Sequence, residues 1–102
     1  MKLAQLFKLA QKAQAEITKI QEELQFEEVE AQSGGGMVKV RFNGRQEMLS
    51  IEFDPEILKE GDIELLSDLI VAAVNEGIRK SSELAQKKIQ EATAGLDISG
   101  LL

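Results

Sequence analysis

The apolar positions near the start of the chain recur at alternating intervals of three and four residues. They are Leu3, Leu6, Ala10, Ala13, Ile17, Ile20 and Leu24, and no Gly or Pro interrupts them. This spacing predicts an amphipathic helix over about residues 2–25 with a seam of the coiled-coil type. Because three heptads are marginal for an isolated coiled coil, we expect the seam to pack against the rest of the fold or a partner chain.

Residues 26–54 change from a helical to an alternating pattern and predict a small antiparallel sheet. The segment from Phe26 to Gln32 is acidic and tolerant of β structure, and Gly34-Gly-Gly36 predicts a flexible loop. Two stretches then alternate apolar and polar residues; their apolar members are Val38, Val40 and Phe42, and Leu49, Ile51 and Phe53. We expect these stretches to form a hairpin that ends at Asp54-Pro55.

The register of this hairpin depends on the length of its turn. A two-residue turn on the dipeptide Asn43-Gly44 would place Val40 opposite Glu47, whereas a four-residue loop places Val40 opposite Leu49. We expect the longer loop, because apolar cross-strand pairs on one face stabilise a sheet.

A second long helix is predicted over about residues 62–94. Pro55 is placed to begin a short helical turn before it, and Gly61-Asp62 interrupts that turn and offers an N-cap. Gly95 is a natural C-cap for the long helix. The apolar tail that follows, Leu96 to Leu102, has no period and is either a docking segment or frayed.

Between Leu65 and Val74 the apolar positions go most of the way round the second long helix, so we expect this segment to be enclosed on more than one side. One hairpin layer and one short-seamed helix are too little to enclose it, which favours a second copy of the chain. The residues expected at this dimer interface are Leu66, Ile70, Ala73 and Val74.

Composition limits the possible chemistry. The chain has 102 residues, with 12 Lys and Arg against 18 Asp and Glu, and its formal net charge is −6. This length predicts a single domain over residues 1–102. The lack of Cys and His excludes disulfides, zinc fingers and Cys- or His-based catalysis. The longest uncharged apolar run, Leu69 to Val74, is far shorter than the ~20 residues of a membrane span, and no signal peptide is visible, so we expect a cytoplasmic protein.

The sequence offers no convincing enzymatic or metal site. Gly34-Gly-Gly36 before Lys39 suggests a phosphate loop, but a strand rather than a helix follows and no hydroxyl residue comes after the Lys. The acidic residues Glu27, Glu28 and Glu30 lie in a polar run that neither buries nor orients them. We therefore predict no enzymatic activity, no metal and no cofactor.

The basic residues are more informative. At about 100° per residue, Lys8, Lys12 and Lys19 fall within about 40° of one another, opposite the apolar seam. Glu16 and Glu23 stand four residues from Lys12 and Lys19, so a solvated, ion-paired face is an open alternative to a binding face. In the second long helix Arg79, Lys80 and Lys87 are expected to face away from the core, and Lys2 lies near the first stripe.

Charge is segregated along the chain. Residues 1–15 hold three Lys and no acid, whereas residues 22–30 hold five Glu and no base. Because the net charge of −6 opposes DNA at long range, binding to DNA would need local basic patches and would be sensitive to salt.

Several motifs in this order are similar to those of one family. They are Lys8-Leu-Ala-Gln-Lys-Ala-Gln14, Gly35-Gly-Met-Val-Lys-Val40, Asn43-Gly44, Ile51-Glu-Phe-Asp-Pro55, Ser67-Asp-Leu-Ile-Val-Ala-Ala-Val-Asn75 and Gly95-Leu96. In these segments the chain resembles the YbaB/EbfC family of bacterial nucleoid-associated proteins over nearly its whole length. The resemblance implies an α/β (α+β) fold, with long N- and C-terminal helices around a small antiparallel sheet, and a tweezer-like homodimer.

The resemblance also implies binding to double-stranded DNA, often with little sequence preference, by a cytoplasmic or nucleoid-located protein. Lys8, Lys12 and Lys80 match the family's motifs and are carried over as DNA-binding residues. Lys2, Lys19, Arg79 and Lys87 are their patch neighbours from the charge pattern alone. The alternative is an acidic dimer without direct DNA binding, which docks a protein partner of replication, repair or the ribosome.

Overall fold

A computed structural model of the chain describes residues 2–94. Its elements, in chain order, are α1 (Leu3–Leu24), β1 (Glu28–Ser33), β2 (Val38–Asn43), β3 (Met48–Phe53), α2 (Pro55–Glu60) and α3 (Ile63–Ala94). Long helices at both ends of a three-stranded antiparallel sheet confirm the predicted α+β class. The predicted cap at Gly95 and the apolar tail lie outside the described residues.

The core lies between the sheet and one side of α3. The strands are ordered β1-β2-β3, and α3 packs against β1 and β2. Alternate residues of β2, namely Val38, Val40 and Phe42, are buried, whereas the intervening Lys39 and Arg41 are exposed, as expected for a strand with one covered face. Gly77 allows α3 to approach this closely, because a Cβ on it would overlap the ring of Phe42.

The predicted hairpin register is wrong by two residues. Val40 pairs with Ile51 and not with Leu49, and a β-bulge follows between Arg41 and Phe42. The turn is longer than the dipeptide suggests because the side-chain carbonyl of Asn43 accepts hydrogen bonds from two main-chain amides of the loop. Since the shift is an even number of residues, Ile51 keeps the core-facing side of the strand.

The end of α1 is tied to this turn. The amide of Gly44 donates to the carbonyl of Leu24 at 2.8 Å and to that of Glu27 at 3.0 Å. A Cβ on Gly44 would lie 2.8 Å from the Leu24 carbonyl oxygen, so only Gly fits at this crossing. The Asn43-Gly44 dipeptide therefore fixes α1 to the sheet rather than forming a two-residue turn.

Only the second half of α1 is packed. Ile20 and Leu24 are buried, and Leu24 lines one groove with Ala85 and Ile89 of α3. α1 ends at the β2–β3 turn, and α3, after packing across β1 and β2, passes the same turn at Ser81. Beyond the turn the two helices run side by side in opposite chain directions. Residues 3–14, called here the α1 arm, continue beyond this packed region, in a molecule 68 Å long and 22 Å wide.

The four residues predicted at the dimer interface differ in how far this chain itself buries them. Ala73 is completely buried by this chain's own β2 and α3, so it offers no surface to a partner. The other three, Leu66, Ile70 and Val74, pack at the edge of the core and are only partly buried. Helical periodicity identified all four as apolar but could not distinguish the middle of the covered face from its edge.

Candidate nucleic-acid interface

The lysines of α1 form one exposed face. The packing of Ile20 and Leu24 against α3 turns the opposite side of the helix to solvent, and Lys8, Lys12 and Lys19 lie exposed there. These three lysines are called the lysine face. Lys8 and Lys19 are eleven residue steps apart, which is about 16 Å along the helix axis.

The lysine face carries no ion pair with any residue between 2 and 94. The ion pairs of that segment involve Arg41, Lys59, Arg79 and Lys88. The pairs of Lys12 with Glu16 and of Lys19 with Glu23, which the spacing allowed, are not formed. Three positive charges on one helix face are thus available for an external anion, and exposed Lys2 adds a fourth near the start of the arm.

The positive charge of Arg79 on α3 is already paired with carboxylates of the same helix. Its guanidinium donates hydrogen bonds to the carboxylates of Glu76 and Glu83, one turn away on either side. The hydrogen bond that Arg79 donates to Glu76, followed by the nearby charges of Glu76 and Glu83, raises the pKa of Arg79. The same hydrogen bond lowers the pKa of Glu76. A phosphate would have to displace carboxylates from Arg79 before binding it.

Lys80 does not face away from the core as expected. It is half-buried, and its Nζ donates to the main-chain carbonyl of Glu30 in β1 at 2.9 Å. This contact fastens the middle of α3 to the edge strand β1. Lys87, by contrast, is exposed as expected, and it lies on the part of α3 that leads away from the sheet.

Lys88 takes part in a pair that sequence reasoning missed. Its Nζ lies 2.6 Å from Oε1 of Glu27, just after α1, and both side chains are partly buried. Hydrogen bonding to Glu27 raises the pKa of Lys88. The pair bridges residues 61 positions apart, so no local pattern could have indicated it. It helps to hold α1 against α3.

A second surface is apolar and lies on the third strand. Because α3 covers β1 and β2, the core side of β3 is left half-covered, and Phe53 at its end is 37% exposed. Ile51 packs against the same buried cluster as the partly buried Leu66, Ile70 and Val74 of α3. Phe53 lies on the same side of β3 as Ile51, because the two pair with the buried Val38 and Val40 of β2. The name β3 face is used here for Ile51, Phe53, Leu66, Ile70 and Val74. The sequence showed the apolar alternation in β3, but it could not show that α3 leaves this strand half-covered.

Gly34-Gly-Gly36 forms a turn between two strands, which is not the geometry of a phosphate loop. No group of three or more metal-binding side chains is found within residues 2–94. None of the helices in that range is both long and apolar enough to cross a membrane.

Comparison with known proteins assigns this arrangement to a family. Residues 1–96 match the model of the YbaB/EbfC DNA-binding family. A nucleoid-associated protein of Thermoanaerobacter pseudethanolicus is 47% identical over 96 residues, 94% of this chain and 86% of that protein. One of Syntrophobacter fumaroxidans is 51% identical over 88 residues, 86% of this chain and 80% of that protein. The crystal structure of an uncharacterized Helicobacter pylori protein superposes with a TM-score of 0.79 at 27% identity, covering 91% of this chain and 98% of that one. The chain belongs to the YbaB/EbfC DNA-binding family.

Proposed function

We propose that the protein binds double-stranded DNA as a homodimer, with little sequence preference, through the lysine face of α1. The observation that carries this proposal is the absence of any ion pair on Lys8, Lys12 and Lys19 within residues 2–94. Flexible lysines on a helix face suit phosphate oxygens, which are the same in every sequence. Of the other basic residues, exposed Lys2 and Lys87 are supporting contacts, whereas Arg79 and Lys80 are engaged within the fold.

The net charge of −6 is compatible with this proposal because the charges are segregated. The α1 arm carries Lys8 and Lys12 and no acid, whereas exposed Glu22 and Glu23 lie at the other end of the same helix, near the sheet. A duplex would therefore approach the arms and be repelled by the body. Two arms in a dimer would double the number of phosphate contacts.

The β3 face supports the homodimer. Its residues join the core of this chain on one side and are open on the other. A second copy related by twofold symmetry would bring the same face against it and complete the covering of β3. Such a pairing uses Leu66, Ile70 and Val74 as the sequence predicted, adds Ile51 and Phe53, and leaves Ala73 inside its own chain.

The test is fluorescence anisotropy of a labelled random duplex titrated with the protein, with light scattering to establish the oligomeric state. With six or more phosphate contacts per dimer, the affinity should fall on the order of 10³-fold between about 50 mM and about 200 mM salt. Unlabelled duplexes of different sequence should compete equally. A confirmed dimer that does not bind at the lower salt concentration would contradict the proposal and favour a protein partner for the acidic surface.

The relatives bear the name of nucleoid-associated proteins, and this supports a nucleoid location in the cytoplasm for the present chain. Fluorescence microscopy of the tagged protein should show it coincident with the chromosome. A signal that is absent from the region of the chromosome would contradict this location.

A further inference from the structure

Strand β1 forms one edge of the sheet within residues 2–94. The strand order β1-β2-β3 gives it a hydrogen-bonded neighbour on one side only. Such an edge presents main-chain N–H and C=O groups to which another strand can pair, and proteins commonly block an edge with a charged side chain, above all a lysine. The directions of the hydrogen bonds in the sheet show which groups of β1 lie at this edge.

Main-chain groups alternate in direction along each strand. In β2 the amide of Asn43 donates to the carbonyl of Glu47, the residue before β3. Arg41, two residues earlier, points its main-chain groups the same way, so it makes no ladder hydrogen bond with its β1 partner Glu30. Every second residue of β1 therefore directs its N–H and C=O groups to the free edge; these residues are Glu28, Glu30 and Gln32.

Lys80 of α3 occupies the central carbonyl of this edge. Its Nζ donates to the main-chain carbonyl of Glu30 at 2.9 Å, and its side chain is half-buried. At the end of the strand, the hydroxyl of Ser33 donates to the carbonyl of Leu69 at 2.6 Å, so α3 is fastened alongside β1 at two places. A strand added to β1 would have to displace the ammonium group from its acceptor and cover it, which is costly for a charge.

The strand that would fit this edge is β1 of a second copy. In an antiparallel pairing centred on Ala31, Glu30 of each copy lies opposite Gln32 of the other, so their carboxylates do not meet. The groups exchanged would be the N–H and C=O of these residues, including the carbonyl that Lys80 occupies. Since the β3 face lies at the other edge of the sheet, copies that paired at both edges would add to one another without closing.

We propose that Lys80 keeps the edge of β1 closed to strand pairing with a second copy of the chain. The task depends on an amine placed at the Glu30 carbonyl, and a positive charge elsewhere on α3 would not perform it. Closure of this edge is independent of DNA binding, because it concerns a contact within the protein. With the edge closed, self-association is confined to surfaces such as the β3 face.

Removing the amine tests the closure. Lys80→Met keeps most of the side-chain length, and light scattering across a concentration series should give a mean mass at least about twofold above that of the wild type at the highest concentration. Circular dichroism checks that the variant is folded. Lys87→Met removes the same charge from an exposed position of α3 and should match the wild type. Equal masses for Lys80→Met and the wild type at every concentration would overturn the proposal.

Hydrogen exchange in Lys80→Met shows where the copies associate. In concentrated solution the amides of Glu30 and Gln32 should exchange severalfold more slowly than in dilute solution, because a second strand accepts their hydrogen bonds. The amides of Val29 and Ala31, which bond to β2, should exchange alike at both concentrations. Faster exchange of all four amides than in the wild type, without slowing on concentration, would show that Lys80 only stabilises the fold. Association without protection of Glu30 and Gln32 would place it on another surface, and either result would overturn the proposal.

Discussion

The hydroxyl of Ser81 in α3 donates a hydrogen bond of 2.7 Å to the main-chain carbonyl of Asn43 in the β2–β3 turn. The same oxygen accepts a hydrogen bond of 2.9 Å from the amide of Gln46, whose φ of 63° lies in the left-handed region. Ser81 is completely buried. One side chain thus satisfies two main-chain groups of an unusual turn and holds the turn, to which α1 is also attached, against α3.

Replacing this hydroxyl should destabilise the fold. Ser81→Ala leaves a carbonyl and an amide without their partner, so the free energy of unfolding should fall by about 1–3 kcal/mol. Urea denaturation followed by circular dichroism at one fixed protein concentration measures the change. Ser82→Ala is the control on the same helix and should change stability by less than about 0.5 kcal/mol. Equal effects of the two substitutions would show that the turn does not depend on Ser81.

Gly77 lies where α3 packs tightly against Phe42 of the sheet. Ala is the better helix former, yet Gly77→Ala should lower the free energy of unfolding by about 1–3 kcal/mol, because the added Cβ overlaps the ring of Phe42. Asn75→Ala, on an exposed position of the same helix, should be neutral or slightly stabilising. A stabilising Gly77→Ala would contradict the packing described for Phe42.

The β3 face makes a prediction about oligomeric state. Phe53→Asp should weaken dimerisation by at least about tenfold, because the new carboxylate would lose water at the interface. Light scattering across a concentration series measures this, and circular dichroism checks that the variant is folded. Phe26→Asp introduces the same change at a residue that is 81% exposed and precedes β1, at the opposite edge of the sheet, and should leave the dimer intact. Equal weakening by both variants would exclude the β3 face as the specific interface.

The contact of Arg79 with Glu76 predicts a pH dependence. The pKa of Glu76 is lowered from its ordinary value of 4.5, chiefly by the hydrogen bond from Arg79. The contact therefore contributes to stability above pH 4.5, and this contribution is lost as the pH falls through the lower pKa of the folded state. An NMR titration of the Glu76 carboxyl should give a midpoint below 4.5 that moves towards 4.5 in Arg79→Met. Arg41→Met should leave the midpoint unchanged, and an unchanged midpoint in Arg79→Met would contradict the assignment.

The features that the sequence predicted well are those with a local cause. The seam of α1 has a strict spacing, and the helix begins at Leu3 and ends at Leu24, close to its predicted limits. The alternation of Val38, Val40 and Phe42 likewise depends only on neighbouring residues, and these three are buried as a strand's core side should be. Hydrophobic periodicity is sufficient to predict an element and its buried face wherever one face of that element is covered.

The features that the sequence predicted poorly depend on distant partners. The hairpin register follows from the hydrogen bonds of Asn43 and from the attachment of Gly44 to the end of α1, neither of which a turn dipeptide reveals. Lys80 and Lys88 look alike as basic positions of a helix, yet each has a partner on β1 or just after α1. The lysine face could be listed from its angular spacing, but its freedom from ion pairs with nearby Glu residues could only be seen in the structure.

The most direct test of the central claim is a charge-reversal comparison on DNA. Lys8→Glu with Lys12→Glu should keep the dimer, lower the affinity for a random duplex more than about tenfold, and reduce the salt slope by about 3 to 4, because four phosphate contacts per dimer are lost. Lys39→Glu with Lys59→Glu changes the net charge by the same amount on exposed positions of β2 and α2. The account predicts that this control binds much more tightly than the arm variant. Equal affinities for the two variants would show that net charge alone governs binding and would contradict the lysine face as the DNA site.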